Sequence, residues 1–543
     1  MNKNALSAVL DYHETSKHRL DRYAPGPGGL DWANQPDPFR RYPGASICEL
    51  PLRPSPLQIS FAEVRCGQRG TPAAINLNGL ATLLELSFGL SAWKEQGVSR
   101  WALRCNPSSG NLHPTECYVL TAACDGLSNG VHHYVSYDHS LEHRAEADAT
   151  WGNGLTGGFV LILTSIHWRE AWKYGLRAFR YCQHDCGHAI AAVSYAAAAL
   201  GWNAQLLENW NDTSLAALTG VARSSDFAEH ENEAVDVALW IGCDNLPKHL
   251  DSPQAAAALT NGLRFTGQAN RLSAWYVPWS GIDAVHRATE RPAPPAAALI
   301  PPIPWPPLAA IDCSQDADAL IRQRRSAVDF DGVTSMPMEH WFALLDALLP
   351  RLELPPWKSW QRPAHIHPVL FVHRINGVIP GVYLLVRDPS VEARLRQAIR
   401  ADAEWAAVPG APEHLGLFRL FAADARDAAR QISCHQNIAA DSCFSLGMLA
   451  EFKAVLNEGA WHYRELFHEA GLLGQALYLE AEAAGLRGTG IGCYFDDALH
   501  AMLGLSSHDW QSLYHFTVGG PLDDSRLRTL PPYAHLSGRR VVD

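Results

Sequence analysis

Apolar residues recur along the chain with two periods, and those periods predict its elements. Across 76–91 they fall at Leu80, Leu83, Leu84 and Leu86, the spacing of one helix face. A long Ala-rich helix is predicted over 187–200. Short, mostly apolar runs predict buried strands at 116–120, 158–163 and 235–241. The longest of them, such as Phe159 to Leu163, fall far short of the roughly 20 residues a membrane helix needs. Residues 1–18 lack the apolar core and small-residue cleavage site of a signal peptide. A soluble, cytoplasmic protein is the expectation.

The pattern then repeats. Gly187 and Gly471 each open a predicted helix, Gly201 and Gly485 each end one, and both pairs stand 284 positions apart. Leu215 with Leu499 and Gly220 with Gly504 keep that offset. Further matches follow in the same order at other offsets. They are His113-Pro114 with His367-Pro368, Gly158 with Gly416, Trp172-Lys173-Tyr174 with Trp461-His462-Tyr463, and Gly242 with Gly519. Between the halves lies a Pro-rich stretch, 291–310, where missing backbone donors and fixed φ angles favour a linker. The predicted organisation is two homologous α+β domains at 51–250 and 311–535. An extended arm, 1–50, precedes them, and a connector, 251–310, joins them.

Composition narrows the function classes. The 543 residues are 47% hydrophobic and 18% charged, the make-up of a folded protein with sizeable cores. The net charge is −12 and no long Lys/Arg run is present, which argues against nucleic acid as partner. Twelve scattered cysteines suit a reducing compartment rather than a disulfide scaffold.

Four stretches carry candidate chemistry. The loop 104–114 holds Pro107, Ser108, Ser109, Gly110 and Asn111 just before a predicted strand. It offers hydroxyls, an amide and free N–H groups to a polar ligand, and by itself reads first as an ordinary turn before a strand. Arg324-Arg325-Ser326 suits a phosphate, because a guanidinium pairs two phosphate oxygens at once; an Arg pair is also a common solvated surface. Lys173 and Tyr174 read either as an acid–base pair or as a helix start with a surface Lys and a core Tyr. Cys182, His184, Cys186 and His188 tempt as metal ligands. The Cys pair and the His pair lie on different helix faces, about 200° apart at roughly 100° per residue, so no metal site is assigned.

Together these motifs resemble the nitroreductase superfamily of flavoenzymes. The resemblance rests on Arg324-Arg325-Ser326, Pro107-Ser108-Ser109, Gly488-Thr489-Gly490-Ile491-Gly492 and Phe516-Thr517-Val518-Gly519. More narrowly, the chain is similar to the SagB-type (McbC-like) dehydrogenases, which oxidise azolines to azoles on modified peptides. Tyr12-His13-Glu14, Arg22-Tyr23-Ala24, Leu30-Asp31-Trp32 and the segment 172–181 carry that likeness. The resemblance implies FMN at a two-fold interface, here formed inside one chain as a pseudo-dimer that needs no second copy.

The two halves depart from the family pattern in complementary ways. The first has the serine loop but no Arg-Arg-Ser, and Trp202 stands in its counterpart of the Gly-rich segment. The second has the arginines and glycines, but its loop, Arg362-Pro363-Ala364-His365, lacks the serines. One composite FMN site per chain is therefore expected. Arg324 and Arg325 would neutralise the phosphate, with Ser326 as a donor and Arg526 or Arg528 as a further cation. Val328 stands where the family often has a basic residue. Ser108, Ser109 and Asn111 would bond the ring or ribityl chain, and Gly490 and Gly492 would admit backbone N–H groups to the ring edge. Lys173 and Tyr174 would be catalytic.

The implied substrate is an azoline-bearing peptide, with oxygen as electron acceptor and a cyclodehydratase complex as partner. Two alternatives remain: a generic NAD(P)H-dependent nitroreductase or quinone reductase acting on a small molecule, and a non-catalytic peptide-binding scaffold.

Overall fold

Two 22-residue helices, Ala178–Ala199 and His462–Ala483, cross at the centre of the molecule. The computed structural model describes residues 3–52, 57–122, 124–148, 150–292 and 303–538. Gly187 and Gly471 lie at the crossing, in mid-helix rather than at the helix starts that the repeat predicts. A Cβ on Gly187 would sit 2.2 Å from the His468 carbonyl oxygen, and one on Gly471 would sit 2.3 Å from that of His184. His184 and His468 are themselves 284 apart, so the contact is reciprocal, as a two-fold axis requires.

Each helix carries a sheet, and the two sheets share one topology. In the first, Ser140–Glu146, Gly130–Val135, Thr115–Thr121, Gly158–Ser165, Ala234–Gly242 and Asn203–Leu206 lie side by side in that order. In the second the order is Leu417–Ala422, Gly381–Leu385, Ile366–Val372, Phe444–Glu451, Trp510–Gly519 and Arg487–Ile491. All neighbours are antiparallel. Gly158–Ser165 is buried throughout because both its faces are covered. Phe159, Leu161 and Leu163 enter the core shared with the central helices, while Val160 and Ile162 enter a second core behind the sheet. The chain therefore folds as two tandem α+β halves related by a pseudo-two-fold axis.

The glycines at the ends of elements keep their predicted roles. Gly201 and Gly485 follow the long helices with φ of 74° and 71°, and Gly220 and Gly504 cap Asp212–Thr219 and Asp496–Leu503.

Other matches shift. The strand opened by Gly158 corresponds to Phe444–Glu451, not to the strand after Gly416. His367-Pro368 lies inside its strand, whereas His113-Pro114 precedes one. Trp172-Lys173-Tyr174 belongs to a separate helix, His167–Tyr174, whereas His462 starts the second long helix directly.

The arm is not wholly extended. Lys3–Thr15 is a helix, because Ala5, Leu6, Val9 and Leu10 form an apolar face with no Gly or Pro to break it. It docks on the second half, where His13 meets Gln511 at 3.0 Å and Lys17 pairs with Asp497 at 2.9 Å. The connector holds the helices Pro253–Leu259 and Ser280–Ala288, and a strand, Arg264–Phe265, that joins the first sheet. Residues 293–302 of the Pro-rich stretch lie outside the described residues. The strand Arg528–Leu530 crosses to the first half and pairs with the hairpin strand Leu90–Gln96. Among the described residues no helix is long and apolar enough to cross a membrane.

Candidate functional site

A cavity of about 860 Å³ opens between the halves beside the helix crossing. The first half lines it with residues 106–111, His113, Tyr174, Tyr181, Asp185 and His188. The second lines it with Arg324, Arg325, Ser326, Tyr478, Gly490, Gly492, Cys493 and Tyr514. The serine loop and the arginines, more than 200 residues apart in sequence, thus face one space.

The loop holds itself in an unusual shape. Gly110, Asn111 and His113 all have positive φ, at 59°, 60° and 52°. The Asn111 amide donates to the Ala102 carbonyl at 2.9 Å, and the His113 N–H donates to Ser108 Oγ at 2.8 Å. Ser109 donates both its backbone N–H and its hydroxyl to Asp185, at 3.1 and 3.0 Å. Ser108, Ser109 and Asn111 therefore shape the loop as well as line the cavity. A Cβ at Gly110 would meet Tyr174 Oη at 2.5 Å and Lys173 Nζ at 3.1 Å, so the predicted catalytic pair lies directly against the loop.

Two buried acids that the sequence did not single out lie near that pair: Asp185 and Tyr174 line the cavity, whereas Glu170 and Lys173 do not. Asp185 is pushed up to about 7 by burial, against the opposing pull of its serine donors. Glu170, one turn before Lys173, is held well above the carboxylate range by burial and by Asp185. Neither carboxyl oxygen of Glu170 has a hydrogen-bond partner among the described residues. Burial, then Glu170, raises Tyr174 well above its ordinary value, so it stays a phenol. Asp185 lies inside the 182–188 stretch weighed for metal ligands. Only the helical spacing to Lys173 offered a sequence signal for Glu170.

The other end of the cavity is basic. Arg324 donates to the carbonyls of Cys105 and Arg104, at 3.2 and 3.1 Å, and stacks 4.9 Å from the Tyr478 ring. Arg325 donates to the carbonyls of Arg322 and Arg324, both at 2.7 Å, and across the interface to Ser91 at 2.9 Å. Burial, with Arg324 beside it, lowers Arg325 to about 10, which leaves it charged at neutral pH. The Ser326 hydroxyl lies 2.8 Å from that of Tyr478. Lys94 and Arg487 also line the cavity. Burial and Arg325 lower Lys94. Sequence reasoning missed both: Lys94 comes from a distant hairpin, while Arg487, just before the Gly-rich segment, was readable. Arg526 and Arg528 do not line the cavity. Both are 75% exposed; Arg526 pairs with Asp524 at 2.8 Å, and Arg528 lies 3.9 Å from Glu95.

The Gly-rich segment makes room for tyrosines. A Cβ at Gly490 would lie 1.9 Å from Tyr514 Oη, and one at Gly492 would lie 2.4 Å from the Tyr181 ring. The Gly490 N–H donates to Tyr478 Oη at 3.1 Å, so it is engaged within the wall.

The lining fits a phosphorylated aromatic ligand. Its volume lies in the ordinary range for small-molecule sites, roughly 300–1,000 Å³. Arg104 Nε, Asn106 Oδ1 and both ring nitrogens of His113 are buried there without a hydrogen-bond partner among the described residues. Lys94, Arg324, Arg325 and Arg487 supply positive charge at one end.

The two-fold related position has closed. Ser194, Ala204 and Glu208 stand 284 before Tyr478, Gly488 and Gly492. The space at Ser194, Trp202 and Ala204 is about 20 Å³. Beside it Glu208 pairs with Arg362 and, at 2.5 Å, with Arg291, while Arg362 also pairs with Glu465 at 2.7 Å.

The cysteines and histidines of 182–188 diverge as their spacing predicts. His184 stacks on Tyr514, with ring centroids 4.1 Å apart, and His188 lies 3.2 Å from the Tyr514 hydroxyl. Cys186 faces Asp236 and His468, whose potential ligand atoms lie within 4.8 Å of one another. Asp236 already accepts from Ser165 and Gln183 there.

Comparison with known proteins agrees with this architecture. Residues 79–228 and 401–520 match the nitroreductase family. A crystal structure from Anabaena variabilis, provisionally named a nitroreductase, aligns over 95% of this chain and 99% of its own, with a TM-score of 0.66 and 22% identity. That likeness spans both halves and establishes the shared tandem fold. A Methanocaldococcus jannaschii protein, also provisionally named a nitroreductase, is 26% identical over 136 residues, 23% of this chain and 65% of that protein. A chain of the E. coli microcin synthetase McbBCD complex aligns over 45% of this chain and 95% of its own, with 17% identity and a TM-score of 0.26, too distant to carry an argument.

Proposed function

We propose that this protein is an FMN-dependent oxidoreductase, with one FMN between its halves, that dehydrogenates azoline rings of a ribosomally made peptide. The observation that carries the reading is the composite cavity, in which Arg324, Arg325 and Ser326 of one half face the 107–111 loop of the other. FMN, when bound, would supply the two-electron oxidation, with oxygen as the final electron acceptor. Arg324 and Arg325, with Lys94 and Arg487, balance a phosphate that carries close to two negative charges. Arg104, Asn106 and His113 meet the polar atoms of the rest of the ligand.

Lys173, against Gly110, takes the proton lost from the ring carbon. Tyr174 donates a hydrogen bond to the substrate from the same side. Asp185, in the cavity lining, and Glu170, one turn before Lys173, supply further groups that hold protons. Acid–base help of this kind is worth roughly a hundred- to ten-thousand-fold in rate. A cyclodehydratase that makes azolines is the proposed partner.

The test is turnover of an azoline peptide, read by mass spectrometry as the loss of a pair of hydrogens per ring. Lys173→Ala should keep the yellow colour of the flavin and lose this turnover. If turnover survives the substitution, Lys173 is structural and the proposed role fails.

The family match favours a second reading, an NAD(P)H-dependent nitroreductase or quinone reductase working in the same cavity. Rapid bleaching of bound flavin by NAD(P)H, with no azole formed, would select it. Protein that stays colourless after incubation with FMN would select a non-catalytic scaffold instead.

A further inference from the structure

We propose that Cys434 and Cys493 form a dithiol–disulfide exchange centre at the wall of the cavity, with small-molecule disulfides as its oxidant. The proposal does not depend on what the cavity holds. Cys493 follows Gly492 and is the one cysteine lining the cavity among the described residues. Cys434 comes from a different segment, the turn after the helix Arg426–Ile432. Both side chains are half-buried, so a small reagent can reach them. The segments that carry them are bonded together, the Phe495 N–H donating to the Ile432 carbonyl at 2.8 Å, and each thiol perturbs the acidity of the other.

The turn that presents Cys434 is unusual. Cys434 and His435 have φ of 53° and 61°, a left-handed pair formed by two residues that carry side chains. The adjoining Gln436 amide donates to the Cys493 carbonyl and to its own turn at Ser433, both at 2.9 Å, which fixes one segment against the other.

The surroundings make the two thiols unequal. Cys434 and His18 of the N-terminal arm stand beside Cys493, and the Arg177 guanidinium adds positive charge. Together they hold the Cys493 thiol below its ordinary range against the cost of burial. The same contact, with burial, raises Cys434. One thiol is thus primed to attack and the other to resolve.

The chemistry balances without a further reagent. The Cys493 thiolate attacks one sulfur of a disulfide RSSR, giving a mixed disulfide and one RS⁻. Cys434 gives its proton to the first RS⁻ and attacks Cys493 Sγ, breaking the mixed disulfide, forming the internal one and releasing the second RS⁻. Two protein thiols are oxidised and one external disulfide is reduced to two thiols.

The experiment uses the full-length protein, reduced and then incubated with oxidised glutathione, with peptides mapped by mass spectrometry. Wild type should yield a disulfide joining Cys434 to Cys493. Cys434→Ser should retain glutathione on Cys493, and Cys493→Ser should form no adduct at Cys434. In reduced wild type at pH 6, iodoacetamide should label Cys493 on the order of ten-fold faster than the half-buried Cys243. That last measurement needs no variant to fold. The proposal is overturned by equal labelling rates, by absence of the internal disulfide, or by glutathione persisting on wild-type Cys493.

Discussion

Asp185 links the shape of the 107–111 loop to pH. Its carboxyl accepts both donors of Ser109 while buried, and burial lifts it to about 7. The unfolded value is about 4, so the folded state holds the extra proton between those limits. Stability contributed by this group therefore falls as pH rises from about 4 to about 7 and levels off above. Asp185→Asn removes that slope. Thermal unfolding of both proteins across this range should show the midpoint difference moving in favour of the variant as pH rises; parallel curves would refute the assignment. Lys173→Ala is the companion change at this scale, with an expected loss of about a hundredfold or more in turnover and no loss of flavin.

At the residue scale the sequence exposed the loop, the arginines and the Lys-Tyr pair, because each is a contiguous motif. It did not expose Asp185 as the partner of Ser109, which is 76 positions away. Helical periodicity relates near neighbours only, so a pairing across 76 positions leaves no mark in it. Arg526 and Arg528 show the opposite case: the family pattern suggested a further cation there, but Asp524 and Glu95 stand beside them at an exposed edge.

At the scale of elements the decisive contact is the helix crossing. Gly187 in a helix interior costs about 1 kcal/mol relative to Ala, so propensity alone favours substitution. The close carbonyls reverse this: a methyl group would lie 2.2 Å from the His468 oxygen at position 187 and 2.3 Å from the His184 oxygen at position 471. Gly187→Ala and Gly471→Ala should each lower stability by about 1–3 kcal/mol in denaturant unfolding. Their double variant should depart from additivity, because the two sites touch. The constant offset of these glycines made the repeat legible. Their place in mid-helix was not, since a glycine marks a helix end or a close approach with the same letter. The arm shows a similar limit: its Gly and Pro residues after position 25 masked the short helix before them.

At the scale of the whole molecule, the two-fold related halves present two positions, and among the described residues one is open and the other nearly filled. Tyr478 and Gly492, which line the open cavity, are matched across the pseudo-two-fold axis by Ser194 and Glu208. The ion pairs among Arg291, Arg362, Glu208 and Glu465 occupy the neighbouring space. Loss of serines in one half and of arginines in the other foretold this from sequence. The closing ion pairs could not be foreseen, because they join segments from three parts of the chain. Arg324→Ala should weaken FMN binding, whereas Arg362→Ala should leave it unchanged, as read by flavin fluorescence titration.

The central claim is that both halves build a single flavin site. It is tested most directly by releasing the flavin from protein reconstituted with excess FMN and counting it per chain. The account predicts a ratio of about one, since only one of the two related positions keeps its space. A ratio near two, or no flavin retained, would contradict it.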